Sequence, residues 1–240
     1  MKWLTALLLL CSSLVAIAAP VRFGFGTHKP PYVFEDEARG LEFEIVTAAA
    51  AKAGFAVEVL YAPMERLHLL LLRGQIDAIA TTNERSGVQG FYSEPYIHYQ
   101  NVALALRERG FRIERIADLA HYSLSAFQRA RFLLGSEYAQ VVENHPRYRE
   151  EAHQIARNRL LYSGRVDVVV GDMRIFRYFN REVGDQVDVS QPLTSYPLFE
   201  PTAYRVGFVS RALRDRFDKG LAALRESGEY GAIERKYESY

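Results

Sequence analysis

The stretch from Gly164 to Asp172, GRVDVVVGD, ends a run of valines on a carboxylate. Val166 and Val168 to Val170 favour a buried strand, and MRIFRYFN directly after Asp172 reads as a helix. A carboxylate at the exit of a strand can hold a ligand cation, and the same side chain can cap the helix that follows. Thr82 closes a comparable run, GQIDAIATT. Other chemistry is sparse. Gly24-Phe25-Gly26 has Lys29 where a dinucleotide fingerprint needs its third glycine, and there is neither a Walker A run nor a Gly-x-Ser-x-Gly elbow. The histidines at 28, 68, 98, 121, 145 and 153 lack metal-ligand spacing, so no metal and no cofactor are expected. His28 sits in a loop that could reach a ligand, although loop histidines are usually solvated.

The surrounding pattern says how these groups would be positioned. From Val21, VRFGFG reads as a strand, LEFEIVTAAAAKA as a helix stopped by Gly54, and FAVEVLYA as a strand. MERLHLLLLR reads as a helix with its leucines in the core, and IDAIAT as a buried strand. A βαβαβ order predicts a parallel sheet in an α/β fold. GQIDAIATT and GRVDVVVGD match in plan, with their Gly and Asp offset by 90 residues. Each follows a Leu-rich helix; the second, EEAHQIARNRLLYS, is expected to turn Ile155, Leu160 and Leu161 inward. Two copies suggest two similar lobes, although Gly-x-x-Asp before a strand is common enough for coincidence.

NVALALRE then leads out of the first lobe and AYRVGFVS leads back, ahead of two helical segments broken at Ser227-Gly228. This assigns residues 19–104 plus 204–240 to lobe 1 and 105–203 to lobe 2, with the two crossings acting as a hinge. Ligands of open parallel sheets sit beyond the strands' carboxyl ends, so Asp172 and Thr82 would both point into the cleft.

Composition agrees with a folded, exported protein. With 49% hydrophobic and 25% charged residues the chain can bury a core. Its 30 basic and 29 acidic residues form no basic stripe, which argues against nucleic acid as a partner. Lys2, the apolar WLTALLLLCSSLVAIA and Ala16-Ile17-Ala18 form a leader, residues 1–18, expected to be cleaved on export to the periplasm. The single cysteine, Cys11, lies within it, so no disulfide is expected.

The pieces KPPYVFED, GLEFEIV, LLRGQIDAIATTNER, YSEPY, ADL, GRVDVVVGD and FDKGLAALRESGEYGAIERKY, in that order, resemble bacterial extracellular solute-binding proteins of family 3. The resemblance runs from about residue 21 to residue 240. It implies a type II periplasmic-binding-protein fold, two α/β lobes joined by two hinge strands with a ligand cleft between them. It also implies roles. Arg85 in TTNER resembles the arginine that clamps a ligand carboxylate, and Asp172 the aspartate that receives the ammonium. Tyr32 resembles the aromatic wall of the pocket, and Thr81 or Thr82 the hydroxyl contacts near the carboxylate. A planar guanidinium opposite a carboxylate suits a zwitterion. Two departures stand out. SLSAFQRARFLLG, with Phe127 and Gln128, replaces the family's Gly-Ser/Thr-Thr turn, and the connection from Asp77 to Arg85 is short.

The resemblance thus implies a monomeric periplasmic binder, not an enzyme, that delivers an amino acid or related small carboxylate to an ABC transporter permease. A ligand-sensing subunit of a membrane receptor is the main alternative. A lyase resembling cyclohexadienyl dehydratase is a further one, with Glu35, Glu44 or Glu94 as general acid.

Overall fold

The computed structural model describes residues 19–35 and 37–240, so the expected leader lies outside the described residues. The chain forms two sheets. In the first, β1 (Val21–Phe25) lies between β2 (Val57–Tyr61) and β3 (Ala78–Thr82), all three parallel. Two helices make the crossovers, α1 (Leu41–Lys52) and α2 (Met64–Leu72). Past β3 the short strands β4 (Phe91–Tyr92) and β5 (Ile97–Tyr99) pair with a strand from much later in the chain.

The second sheet begins with β6 (Asn101–Leu106) and continues with β7 (Leu124–Phe127), β8 (Tyr148–Glu151), β9 (Val168–Asp172) and β10 (Leu193–Tyr196). Their spatial order is β10-β6-β9-β7-β8. Between them lie α3 (Ala130–Leu133), α4 (Ser136–Val142), α5 (Gln154–Tyr162) and α6 (Met173–Val183). The chain then returns to the first sheet as β11 (Thr202–Phe208), antiparallel to β3, and ends in α7 (Arg211–Glu226) and α8 (Glu229–Lys236).

The sheets repeat one plan. The row β2-β1-β3-β11 of the first matches β8-β7-β9-β6 of the second. The repeated aspartates do the same work: Asp77 accepts the Arg22 backbone N–H at 2.8 Å, and Asp167 accepts that of Ser123 at 2.9 Å. Each carboxylate ties the start of its own strand to the start of the neighbouring one. The helices α2 and α5 keep the same offset of 90 residues.

Helix packing follows from residue size. Leu41, Ile45, Val46, Ala49 and Ala50 form one buried face of α1 against α7. A Cβ on Gly220 of α7 would stand 2.2 Å from the Ala49 carbonyl, so only glycine permits this approach. Asp172 is the N-cap of α6, accepting the N–H groups of Arg174 at 2.9 Å and Ile175 at 3.1 Å.

Four expectations need correction. The sheets exchange at Gln100, not after residue 104, because all of β6 pairs in the second sheet while β5 pairs in the first. The helix expected from Glu150 begins only at Gln154, since Tyr148–Glu151 forms the edge strand β8 beside β7. Its innermost residues are Arg157, Asn158, Leu161 and Tyr162, while Ile155 and Leu160 are half-buried. On α2, Leu67 and Leu71 are core, but Leu69 and Leu72 are 50% and 66% exposed.

Candidate functional site

Between the two sheets lies a cavity that is partly open to solvent. Its volume is about 40 Å³. Lobe 1 lines it with Lys29, Thr81 and Tyr99, and β11 adds Tyr204. The facing wall carries Phe127, Gln128, Gln154, Arg157 and Asp172.

The lobe 1 wall is built around a buried ion pair. Glu42 in the first turn of α1 has no exposed surface, and its carboxylate accepts the Lys29 ammonium at 2.5 Å. It also accepts the Thr81 and Tyr99 hydroxyls, each at 2.5 Å, and the Tyr96 hydroxyl. Burial alone would push the Glu42 carboxyl up, but the Lys29 ammonium and these hydroxyls outweigh it and hold it below its ordinary value. Burial in turn lowers the Lys29 ammonium from its usual range.

Thr81 has φ +57°, a left-handed conformation that a β-branched residue rarely adopts. The Tyr96 hydroxyl, which accepts its N–H at 2.8 Å, and the Glu42 carboxylate hold it there. The pairing of β3 with β11 shifts register at this point. Strain of this kind is kept where surrounding contacts over-determine it, commonly beside a ligand.

The lobe 2 wall carries two buried charges. Asp172 is 3% exposed and accepts the Tyr32 hydroxyl at 3.1 Å and the Gln100 N–H at 3.1 Å, besides its two cap bonds. All of these donors are neutral. Burial pushes its carboxyl above the ordinary value, against the pull of those hydrogen bonds. Arg157, also 3% exposed, donates Nη1 to the Val170 carbonyl at 2.7 Å and Nη2 to Gln154 Oε1. Burial pushes its guanidinium down to about 10, which leaves it cationic at neutral pH.

Aromatic rings back the lobe 1 wall. Tyr32 stacks on Tyr99 at 3.8 Å between centroids, and Tyr204 meets Tyr99 edge-on at 4.8 Å. Further contacts bridge the lobes outside the cavity. Arg129 donates Nη1 to Glu65 at 2.9 Å and Nη2 to the Ser86 carbonyl, while Arg174 reaches the Tyr237 carbonyl. The lobes are closed on each other.

The sequence-predicted residues fall into two groups. Asp172, Thr81, Phe127 and Gln128 line the cavity, and Tyr32 lies behind it on Asp172. Thr82 turns away and pairs with His68 Nε2 at 3.2 Å. Arg85 is not brought to Asp172. It sits in a single 3-10 turn capped by Asn83, exposed, lining a separate cleft of about 890 Å³ with Arg131, Gly135 and Phe132. The short connection from Asp77 ends β3 one turn before the arginine, which leaves its side chain outside. His28 packs edge-on among Phe34, Tyr178 and Phe179.

None of Glu35, Glu44 and Glu94 lines the cavity. Glu44 instead binds Lys236 at 2.6 Å and the Tyr237 hydroxyl at 2.5 Å. Lys29, Glu42, Tyr96, Tyr99 and Arg157 were not singled out by sequence reasoning. One signal was available for Arg157: a glycine inside a strand marks close approach, and a Cβ on Gly171 would stand 2.2 Å from Arg157 Nη1. Among the described residues no cluster of His, Cys, Asp and Glu could hold a metal, and no helix is long and apolar enough to cross a membrane.

Comparison with known proteins gives one family. The profile described as bacterial extracellular solute-binding proteins, family 3, matches residues 21–239. A search of curated proteins gives no match. Among solved structures, a histidine kinase sensor domain with similarity to periplasmic binding proteins superposes with a TM-score of 0.77 at 22% identity, covering 91% of this chain and 96% of that one. The arginine-, lysine-, histidine-binding protein ArtJ from Geobacillus stearothermophilus gives a TM-score of 0.75 at 17% identity, over 92% and 96%. A substrate-binding protein of an ABC uptake transporter from Streptococcus pneumoniae, with bound histidine, gives 0.72 at 19% identity, over 92% and 93%. At these identities the likeness is one of fold.

Proposed function

The chain belongs to the bacterial extracellular solute-binding proteins, family 3, and from that premise we propose that it captures a small amino acid or related zwitterion between its lobes. The observation that carries this reading is Asp172, a buried carboxylate on the cavity wall whose hydrogen-bond donors are all neutral. An ammonium entering the cavity supplies the directly bonded cation that these donors do not, and a buried carboxylate without one is costly. Thr81, Phe127 and Gln128 shape the space around it, Tyr32 orients the carboxylate, and Thr82 supports the β3 end through His68. Arg85 lies outside the cavity and is not assigned the carboxylate in this form.

Closure excludes water and strengthens every charge contact within. The energy of ligand binding adds to the interlobe contacts in holding the closed state that a membrane partner recognises. We assign that partner to an ABC transporter permease, with the protein exported to the periplasm by the leader at residues 1–18 and acting there as a monomer. A second reading, a ligand-sensing unit, draws on the likeness to a histidine kinase sensor domain. Binding without turnover is favoured over the lyase reading because none of its three candidate acids reaches the cavity.

The test is a thermal-shift screen of the amino acids and small carboxylates, followed by mass spectrometry of each hit after long incubation. A hit that raises the melting temperature and is recovered intact supports capture. Steady conversion of a hit, or no hit at all, overturns it. Intact mass of the exported protein checks the leader: retention of Met1 sinks that part.

A further inference from the structure

Arg157 is the second charge of the cavity wall held in no ion pair, the Asp172 carboxylate attracting it only at longer range. Of its five N–H donors, one goes to the Val170 carbonyl and one to Gln154 Oε1, and Nε has no partner. Gln128 Oε1, on the same wall, is likewise buried without a partner. Among the described residues no carboxylate forms an ion pair with Arg157. The other cation of the cavity, Lys29, is already neutralised by Glu42. Any anion entering the cavity therefore meets in Arg157 a buried cation held in no ion pair.

The fold itself does not demand an arginine there. With the offset of 90 residues, position 157 of α5 corresponds to position 67 of α2, where Leu67 is wholly buried in an apolar cluster. The same slot in the same supersecondary unit is filled by a leucine in one lobe and a guanidinium in the other. Gly171 makes room for it, since any side chain there would collide with Nη1 and Cζ. The ring of Phe127, also on the cavity wall, lies 6.0 Å beneath the guanidinium carbon.

We propose that Arg157, held flat on β9 by Gln154 and Gly171, is the anion-binding group of the cavity and takes the ligand's carboxylate while Asp172 takes its ammonium. The inference rests on the proposed capture of a small zwitterion. It places both ends of the ligand on the lobe 2 wall, with Gln128 accepting from a ligand donor and lobe 1 closing over them.

The experiment uses the full exported protein and calorimetric titration with each of the twenty L-amino acids singly, then with the α-amide of each one that binds. The variants are Arg157→Leu, which installs the residue of the other lobe and is expected to fold, and Arg157→Lys, which keeps the charge without the planar fork. In the wild type, replacing the α-carboxylate by an amide should weaken binding on the order of 100-fold. In Arg157→Leu the acid should bind on the order of 100-fold more weakly while the amide changes within about threefold, so the preference collapses. Arg157→Lys should fall between the two. If Arg157→Leu binds the acid like wild type, or keeps the preference for acid over amide, the inference is overturned while the capture reading stands. If the wild type binds none of the twenty, both fall together.

Discussion

Leu67 on α2 and Arg157 on α5 hold the same place in the two copies of one helix–strand unit, and the surroundings treat them differently. Leu67 packs so closely over β1 that a Cβ on Gly24 would come within 2.7 Å of its Cδ2. Arg157 packs as closely over Gly171, but with a charge held in no ion pair among the described residues, the Asp172 carboxylate acting on it only at longer range. The neighbouring positions diverge the same way. His68 bonds Thr82 beside the strand end, whereas Asn158 donates to the Phe176 carbonyl at 2.8 Å and to Asn180 at 2.8 Å. Lobe 1 closes its repeat with core packing and a neutral hydrogen bond; lobe 2 leaves two opposite charges, Arg157 and Asp172, on the cavity wall. The repeat supplies a scaffold, and the departures from it mark the site.

Exchanging the two residues breaks the comparison most severely. Leu67→Arg puts an unpaired cation into an apolar cluster and should cost about 4 kcal/mol or more, enough to prevent folding in a marginal domain. Arg157→Leu removes a buried charge whose burial outweighs its attraction to Asp172 and should leave the ligand-free melting temperature unchanged or higher. Thermal unfolding followed by circular dichroism checks both. Equal destabilisation by the two changes would show that the slots are equivalent after all.

Asp172 comes next. Asp172→Asn keeps the helix cap and should leave stability within about 0.5 kcal/mol, yet weaken amino-acid binding by about 3 kcal/mol. Asp172→Ala loses the cap as well and should cost about 1 kcal/mol of stability besides. Acid should mimic the asparagine. Burial raises this carboxyl above 3.8, so protonation on acidification comes earlier than for an ordinary aspartate. Binding is lost as pH falls through the raised value, while the ligand-free fold, taken for this group alone, gains stability over the same interval. Calorimetry between pH 7 and pH 4 reads the first effect. A binding constant flat over that range would sever Asp172 from the ammonium.

His68 gives lobe 1 an acid sensitivity that Asn158 cannot give lobe 2. Burial, with Arg129 nearby, pushes its imidazole down to about 4 from 6.5. The neutral ring therefore contributes fully above the unfolded value. That contribution declines as pH falls from 6.5 towards 4, by at most about 1.4 kcal/mol per pH unit. Denaturant melts across this window should show the loss, and His68→Gln should flatten it by about 2 kcal/mol at its acid end. An unchanged slope would place the sensitivity elsewhere.

The smallest effect belongs to the contacts between lobes. Glu65 is 44% exposed on its side of the Arg129 pair, so Glu65→Gln should cost no more than about 0.5 kcal/mol. Its readout is shape: small-angle scattering of the ligand-free protein should show a larger radius of gyration than wild type. No change would mean that Tyr32–Asp172 and Arg174–Tyr237 hold the lobes without it.

Much of this fold is written in local pattern. The strands at Val21, Val57, Ala78 and Val168, the helices between them and the break at Ser227–Gly228 follow from apolar periodicity and glycine stops, because both act over a single turn or strand. The offset of 90 residues already held the two-lobe plan, and Asp172 was visible as a carboxylate where no core strand needs one. The exchange point at Gln100 was not visible, since β5 and β6 follow each other with one residue between them and only their partners separate them. Nor was the burial of Lys29, Glu42 and Arg157. In sequence a charged residue reads as solvated, and its burial depends on partners brought from afar, such as Thr81, 52 residues from Lys29. For the same reason Arg85, marked by its motif, stands outside the cavity, and Arg157, marked only by a glycine on a neighbouring strand, lies within it. Local sequence determines which segments can be strands and helices; the long-range packing of those segments decides which charges lose their water, and so where a ligand's charges are wanted.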